Sequence, residues 1–451
     1  MSRSFGVNVW YDCWLARLSN SSQWSKVMNR IVRSGVSALF AFTVLVNLTI
    51  AQEDGTSLSV QKLIEQALQQ NPEIKSAERH WLATLESPAQ VSALPDPMLN
   101  YTRFGENVET RVGPQENILT LSQKIPFPGK LGLKGKMARQ DALAQQQQYE
   151  ATKRDVVFKV KQAYYDLYWV DRSVSILIQY LDVLQDFTRV AEQKYATGKG
   201  IQANVLKSQV EISSTLERKL GFEKMRQGVA ARLNALLDRP QTTELGLATD
   251  IDTARARLQV SELVTLALAQ REELQAVQAM IGKSEFMRRL AKREFLPDFS
   301  LQANYIDVSK GVSLVSDAGK NAWSVTLGLN LPIWLGKRKA AVRQAENALA
   351  SNKLAYENAE NQVKAEIEDF YYQLEITGKT LDLYEHGLLV QAESSLESAV
   401  SSYGTGKLDF LDLLDAERML LNLKLGYAKE QSNYQKQLAA LERTVGGELP
   451  K

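Results

Sequence analysis

The chain has 451 residues, 44% of them hydrophobic and 24% charged, with a single Cys and two His. That length suits two or more ordinary domains, and the globular hydrophobic fraction excludes both a polytopic helical membrane protein and a wholly disordered chain. A balance of 54 basic against 52 acidic residues gives no sign of a nucleic-acid binder, one Cys allows no internal disulfide framework, and two His leave little for a zinc, haem or catalytic centre.

Residues 1–51 read as a secretory signal peptide. Arg30 and Arg33 precede an apolar stretch over 36–46, too short to cross a bilayer core of about 30 Å but suited to a signal. Thr49 and Ala51 place small side chains at a cleavage site, which makes Gln52 the first mature residue. Met28 is an alternative start, and Cys13 is lost with the leader either way. No Cys stands beside the cleavage point to carry a lipid. The leader holds five basic residues and one acid, so the mature chain has 49 basic and 51 acidic residues and the slight basicity belongs to the signal.

The rest of the chain repeats itself. Leu63, Ala67, Leu68, Gln70 and Glu73 return as Leu263, Ala267, Leu268, Gln270 and Glu273. Leu94-Pro95-Asp96 returns as Leu296-Pro297-Asp298, and Ile125-Pro126 with Gly129-Lys130 returns as Leu331-Pro332 with Gly336-Lys337. Tyr195, Thr197, Gly198 and Lys199 return as Tyr403, Thr405, Gly406 and Lys407. Two structural repeats are therefore expected, 52–254 and 255–451. Each reads as a helix, two strands, a very long helix and a further helix, with strands over about 97–126 and 298–333 and helical hairpins over about 131–239 and 337–446.

Residues 136–197 contain neither Gly nor Pro, which predicts about 93 Å of helix at 1.5 Å per residue. Val160, Tyr164, Leu167, Val174, Leu181, Leu184, Ala191 and Tyr195 are spaced as a coiled-coil seam, and Lys161, Asp166, Asp171, Arg172, Asp182 and Asp186 between them predict a solvated face. Only Gly378 and Gly387 interrupt the second copy, over 337–403. Shorter helices over 201–238 and 410–445 complete each hairpin.

Between the helices the apolar period changes to two. Trp323, Val325, Leu327, Leu329 and Leu331 alternate with small or polar residues, as do Phe299, Leu301, Ala303 and Tyr305, and Leu119, Leu121 and Ile125. These runs approach the length of a tilted membrane-spanning strand, with turn-rich stretches at 105–115 and 309–320 joining them as hairpins. Four strands cannot close a barrel, and a bilayer tolerates no open sheet edge, so closure would come from further copies of the chain: eight strands from two, twelve from three. A soluble sheet packed on the helices is the other reading of the same alternation.

Signal, duplication, strand pairs and helical hairpins together resemble the outer membrane efflux protein family of TolC-like outer membrane factors, across nearly the whole mature chain. The specific stretches are Asn71-Pro72-Glu73, Leu94-Pro95-Asp96-Pro97, Pro126-Phe127-Pro128-Gly129-Lys130, and the run from Tyr403 through Asp412 and Asp415 to Ala416. The resemblance implies a mainly α fold with a β-barrel part: a homotrimer whose twelve-stranded β-barrel sits in the outer membrane of a Gram-negative-type cell, in contact with its lipid, and continues as a long periplasmic α-helical barrel. It also implies a passive duct of a tripartite efflux system with a periplasmic adaptor and an inner-membrane pump, of the resistance-nodulation-division type, with no enzyme activity and no cofactor. Tyr195, Thr197, Gly198, Lys199, Tyr403, Thr405, Gly406 and Lys407 would be adaptor-docking tips, and Asp412 and Asp415 an acidic ring at the pore constriction. Asp409 with Asp412 also reads as a helix cap with an acidic first turn.

The first repeat has Asn204 and Lys207 at the positions of Asp412 and Asp415, and Leu408 stands where the best-known member has a gating arginine. The Leu-Pro-Asp-Pro and Phe-Pro-Gly-Lys stretches resemble members that serve heavy-metal export, so heavy-metal cations or small toxic compounds are the expected cargo. His80, His386 and eight Met form no cluster, so no metal site is expected. No Gly-x-Ser-x-Gly or His-Glu-x-x-His motif supports an enzyme. A periplasmic coiled-coil tether without transport is the alternative reading.

Overall fold

The computed structural model describes residues 58–249, 251–252, 254–256 and 258–449, so the signal expected over 1–51 lies outside the described residues. The leading helix expected in the first half is divided into Val60–Gln70 (α1), Pro72–Leu85 (α2) and Ser87–Ser92 (α3). Asn71 makes the first break. Its side chain accepts from the N–H groups of Glu73 and Ile74 at 2.8 and 3.2 Å and donates to Leu236 O at 2.9 Å. Pro72 then starts α2 where its missing N–H costs nothing.

Strands Met98–Thr110 (β1) and Gly113–Ile125 (β2) pair antiparallel. The turn is only two residues, shorter than the expected 105–115, because β1 continues to Thr110 past a register shift between Arg103 and Val108. Gly113, at φ 130°, leaves no room for a side chain: a β-carbon there would lie 1.9 Å from Ser309 O.

Helix Lys130–Ala196 (α4) has 67 residues and is about 100 Å long. Six of the eight expected seam residues are buried in it, Val160, Tyr164, Leu167, Leu181, Leu184 and Ala191. Val174 is half-buried, and Tyr195 at the helix end is exposed. Asp171 departs from the expected solvated face. It is buried, accepting from Arg226 Nε at 2.6 Å and from Ala248 N at 3.0 Å. Arg226 also donates to Leu245 O and Gly246 O, so the pair straps the segment after the hairpin onto it. Gln202–Leu236 (α5) returns alongside α4.

The second half follows the same order: Val260–Gln270 (α6), Glu272–Arg293 (α7), Phe299–Val308 (β3), Ala322–Leu329 (β4), Leu335–Leu383 (α8), a π-helical turn Tyr384–Leu388, Leu389–Gly404 (α9) and Phe410–Val445 (α10). Strand β4 stops at Leu329, short of the expected 333. Asn330 N instead bonds Asp298 O at 3.1 Å, and Pro332 has no N–H to continue a ladder. The π turn divides a helix that is continuous in the first half. It contains Gly387, and its Glu385 accepts from Tyr427 Oη at 2.7 Å and from Arg255 at 3.1 Å.

The four strands form one sheet in the order β1-β2-β3-β4, antiparallel throughout, with β1 and β4 as its edges. Register sorts most of the side chains, with Gln123 on the apolar side and Ile118 and Ile306 on the polar side as exceptions. Leu99, Tyr101, Leu119, Leu121, Ile125, Leu301, Tyr305, Trp323, Val325 and Leu327 share one face, and Asn100, Thr102, Thr120, Ser122, Gln302, Asn304, Ser324 and Thr326 share the other. On the polar face Thr120 donates to Asn304 Oδ1 at 2.8 Å, and Asn304 donates to Ser324 Oγ at 3.1 Å. The apolar face is not packed on the helices: Trp323 is 77% and Leu327 73% exposed. A large side chain left in water forgoes roughly 1.5–3 kcal/mol of burial, which a whole face of them makes a strong demand for lipid.

Where β2 meets β3 the two halves are fastened by Lys130, only 3% exposed, whose Nζ donates to Asp298 Oδ1 at 2.8 Å and Leu296 O at 3.0 Å. Phe127 N donates to the same Asp298 oxygen at 2.7 Å. The helices below hold three apolar clusters, with the one around Leu177, Tyr180, Leu184, Phe410, Leu413 and Leu414 nearest the hairpin ends.

Candidate channel entrance

Both hairpin ends turn in the same way. In the first, Thr197 N bonds Gln193 O at 3.1 Å, Gly198 stands at φ 70°, and Lys199 N closes on Lys194 O at 2.8 Å. In the second, Thr405 N bonds Ser401 O at 3.2 Å, Gly406 stands at φ 77°, and Lys407 N closes on Ser402 O at 2.9 Å. These are glycine-terminated helix ends, in which the left-handed residue lets the last carbonyls find donors. Thr197, Gly198, Lys199, Thr405, Gly406 and Lys407 are exposed, as is Tyr195. Tyr403 is different: it is 8% exposed, its ring packs 5.8 Å from that of Phe410, and Lys194 Nζ lies 3.6 Å from its centroid while donating to its carbonyl at 2.8 Å. Lys194 thus ties the first turn to the second. Burial pushes the Tyr403 phenol up, with the Asp409 carboxylate adding to it.

Asp409 caps α10, accepting from Phe410 N at 2.7 Å, and Asp412 lies in the first turn, where the helix dipole favours a carboxylate. Asp412 and Asp415 are both exposed and one helical turn apart, so they share a face. They are not equivalent. Asp415 accepts from Arg418 Nη1 at 3.2 Å, whereas Asp412 makes no ion pair among the described residues. Leu408 packs against the apolar cluster of the hairpin ends.

Behind Asp415 lies a network the sequence did not disclose. Arg418 donates to Glu211 through Nε at 2.9 Å and again through Nη2, and Tyr180 Oη donates to the other Glu211 oxygen at 3.1 Å. Burial pushes the Glu211 carboxyl up, but the Arg418 hydrogen bond and charge, with Tyr180, outweigh it and hold the group below the usual carboxylate range. Burial and the Glu211 charge push the Tyr180 phenol far up. Glu417, 6% exposed, is pushed up by burial, with Lys424 only partly countering. The visible signal was the i, i+3 spacing of Asp415 and Arg418; Glu211 comes from the other half, 207 residues away.

Among the described residues no group of three or more His, Cys, Asp and Glu side chains is placed to hold a metal ion, and no helix is long and apolar enough to cross a membrane. The sequence profile of the outer membrane efflux protein family matches residues 63–239 and 263–447. The cobalt-zinc-cadmium resistance protein CzcC of Cupriavidus metallidurans is 21% identical over 437 residues, 89% of this chain and 96% of that protein. The outer membrane protein TolC of Vibrio cholerae is 20% identical over 397 residues, 85% of this chain and 90% of that one. The crystal structure of CusC superposes with a TM-score of 0.75 at 19% identity, covering 88% of this chain and 96% of that chain. With both halves matched, a sheet whose apolar face lies bare and hairpins that end in paired turns, the chain belongs to the outer membrane efflux protein family and is a protein of the outer membrane with a periplasmic helical extension.

Proposed function

We propose that the chain is the outer-membrane duct of a tripartite efflux system, a passive homotrimer in which two repeats per chain, 52–254 and 255–451, give a twelve-stranded barrel and a helical tunnel. The observation that carries this reading is the sheet: one face dominated by large exposed apolar side chains, the other carrying a hydrogen-bonded polar lattice, with both edges open. Such a sheet is unstable alone in lipid and in water alike, and closing it with copies satisfies its edges and directs its polar face to a lumen. A periplasmic tether would have no use for that face.

The exposed turn residues Tyr195, Thr197, Gly198, Lys199, Thr405, Gly406 and Lys407 are the docking points for a periplasmic adaptor, and Tyr403 shapes the second turn from beneath. The inner-membrane pump, of the resistance-nodulation-division type, selects the cargo. Heavy-metal cations or small toxic compounds are the cargo this reading favours, supported by the likeness to a cobalt-zinc-cadmium resistance protein. Asp412 and Asp415 form the acidic ring at the constriction. Repeated about a threefold axis they would attract cations to the mouth without binding them as a site. The test is extraction and mass: the mature protein should leave membranes only with detergent and run as three chains, and a monomer released by buffer alone would refute the reading.

A further inference from the structure

The junction inside one chain specifies the junction between chains. Leu94-Pro95-Asp96 recurs 202 residues later as Leu296-Pro297-Asp298, and Ile125-Pro126 recurs 206 residues later as Leu331-Pro332. Over Met98–Arg103, before the register shift, those two offsets carry the β1–β2 pairs onto the β3–β4 pairs: Met98↔Ser122 becomes Ser300↔Gly328, Leu99↔Leu121 becomes Leu301↔Leu327, and Tyr101↔Leu119 becomes Ala303↔Val325. The repeat is therefore a repeat of register, not only of sequence.

The β2–β3 junction within the chain can be carried over in the same way. We infer that β4 of one copy pairs antiparallel with β1 of the next in the register that follows. Gln123↔Leu301, Leu121↔Ala303 and Thr120↔Asn304 become Leu329 against Leu99 of the partner subunit, Leu327 against Tyr101 of the partner subunit, and Thr326 against Thr102 of the partner subunit. This inference rests on the self-assembly proposed above, and it adds which residues meet.

Three features of the chain agree with it. First, parity is kept: both members of the first two pairs lie on the apolar face and both threonines on the polar face, whereas a one-residue slip would set Leu327 against Asn100. Second, the charges match. Lys130 and Asp298 fasten the internal junction; their counterparts Lys337 and Asp96 are exposed, lie at the two outer edges, and make no ion pair among the described residues. Third, Leu414 of α10 is buried in the cluster shared with α4, whereas its counterpart 208 positions earlier on α5, Leu206, is exposed. The contact is head-to-tail, the kind that forms a ring when the rotation between copies closes.

The mature chain has no Cys, which makes disulfide trapping clean. In Leu327→Cys with Tyr101→Cys, oxidation should link copies into ladders on a denaturing gel. The displaced pairs Val325→Cys with Tyr101→Cys and Leu329→Cys with Tyr101→Cys should link about ten-fold less, because diagonal positions lie beyond disulfide reach. Thr326→Cys with Thr102→Cys tests the same register from the polar face should the first variant fail to assemble. Preferential linking of a displaced pair, or no linking in either matched pair while size in detergent shows intact assemblies, overturns the register alone. Absence of assemblies in the unmodified protein removes the self-assembly reading and the register with it.

Discussion

The two hairpin ends share a backbone and differ in almost everything attached to it. Tyr195 and Tyr403 occupy the same place before turns with the same hydrogen bonds and the same left-handed glycine, yet Tyr195 is 49% exposed and Tyr403 8%. Lys194 reaches from the first turn across the Tyr403 ring, and the position that would return the contact is Ser402. Asp412 and Asp415 follow the second turn where Asn204 and Lys207 follow the first. Duplication conserved what the turn needs and released the side chains, so one end became a packed, acidic anchor and the other an exposed partner.

Removing the two tyrosines separates these roles most strongly. Tyr403→Ala should cost about 3 kcal/mol in unfolding of the detergent-solubilised protein, as for other buried aromatics, and Tyr195→Ala less than about 1 kcal/mol. Equal losses would mean that the two ends are not differently packed. A smaller effect is expected at Arg418. Arg418→Ala strips the partner from Glu211 and should cost about 1–2 kcal/mol at neutral pH, moderated because Arg418 is itself partly exposed.

The pH dependence of that loss has a definite sign. The Glu211 carboxyl is held below its ordinary 4.5, so the pair contributes stability above that value and loses it as pH falls through the folded pKa. The cost of Arg418→Ala should therefore shrink in acid, and a pH-independent cost would contradict the pairing. Glu417 runs the opposite way. Its pKa is raised, so its ionisation erodes stability as pH climbs from 4.5 to the folded value, and Glu417→Gln should stabilise the protein at neutral pH. The smallest effect sharpens the shared feature: Gly198→Ala and Gly406→Ala should each cost about 1 kcal/mol, and equally, since both glycines are left-handed and neither would meet a neighbour within 4 Å.

Much of this was legible in local sequence. The Gly-free and Pro-free run announced the long helix, alternation announced β2, β3 and β4 though not whether their apolar face would lie bare, and Asp409 announced its cap. The repeated Tyr-x-Thr-Gly-Lys announced both turns. What escaped depended on partners distant in the chain or on small geometric choices. Asp171 looked like one more solvated acid until Arg226 and the Ala248 N–H closed on it. Glu211 gave no sign that it would meet Arg418. The two-residue turn at Arg111 and Val112 replaced a longer loop because β1 absorbs a register shift, which composition alone does not reveal. The π turn at Tyr384–Leu388 inserts a residue that only the packing of Tyr384 over Gly426 makes intelligible, since a β-carbon there would lie 2.6 Å from the phenol oxygen.

Planar-bilayer conductance decides between a duct with an acidic mouth and any other use of this fold. The purified protein should give discrete channel openings that a trivalent cation blocks from the side of the hairpin ends, and Asp412→Ala with Asp415→Ala should weaken that block about ten-fold or more while leaving channels that still insert. A protein that inserts but never conducts would contradict the duct, and a block unchanged in the double variant would contradict the acidic ring.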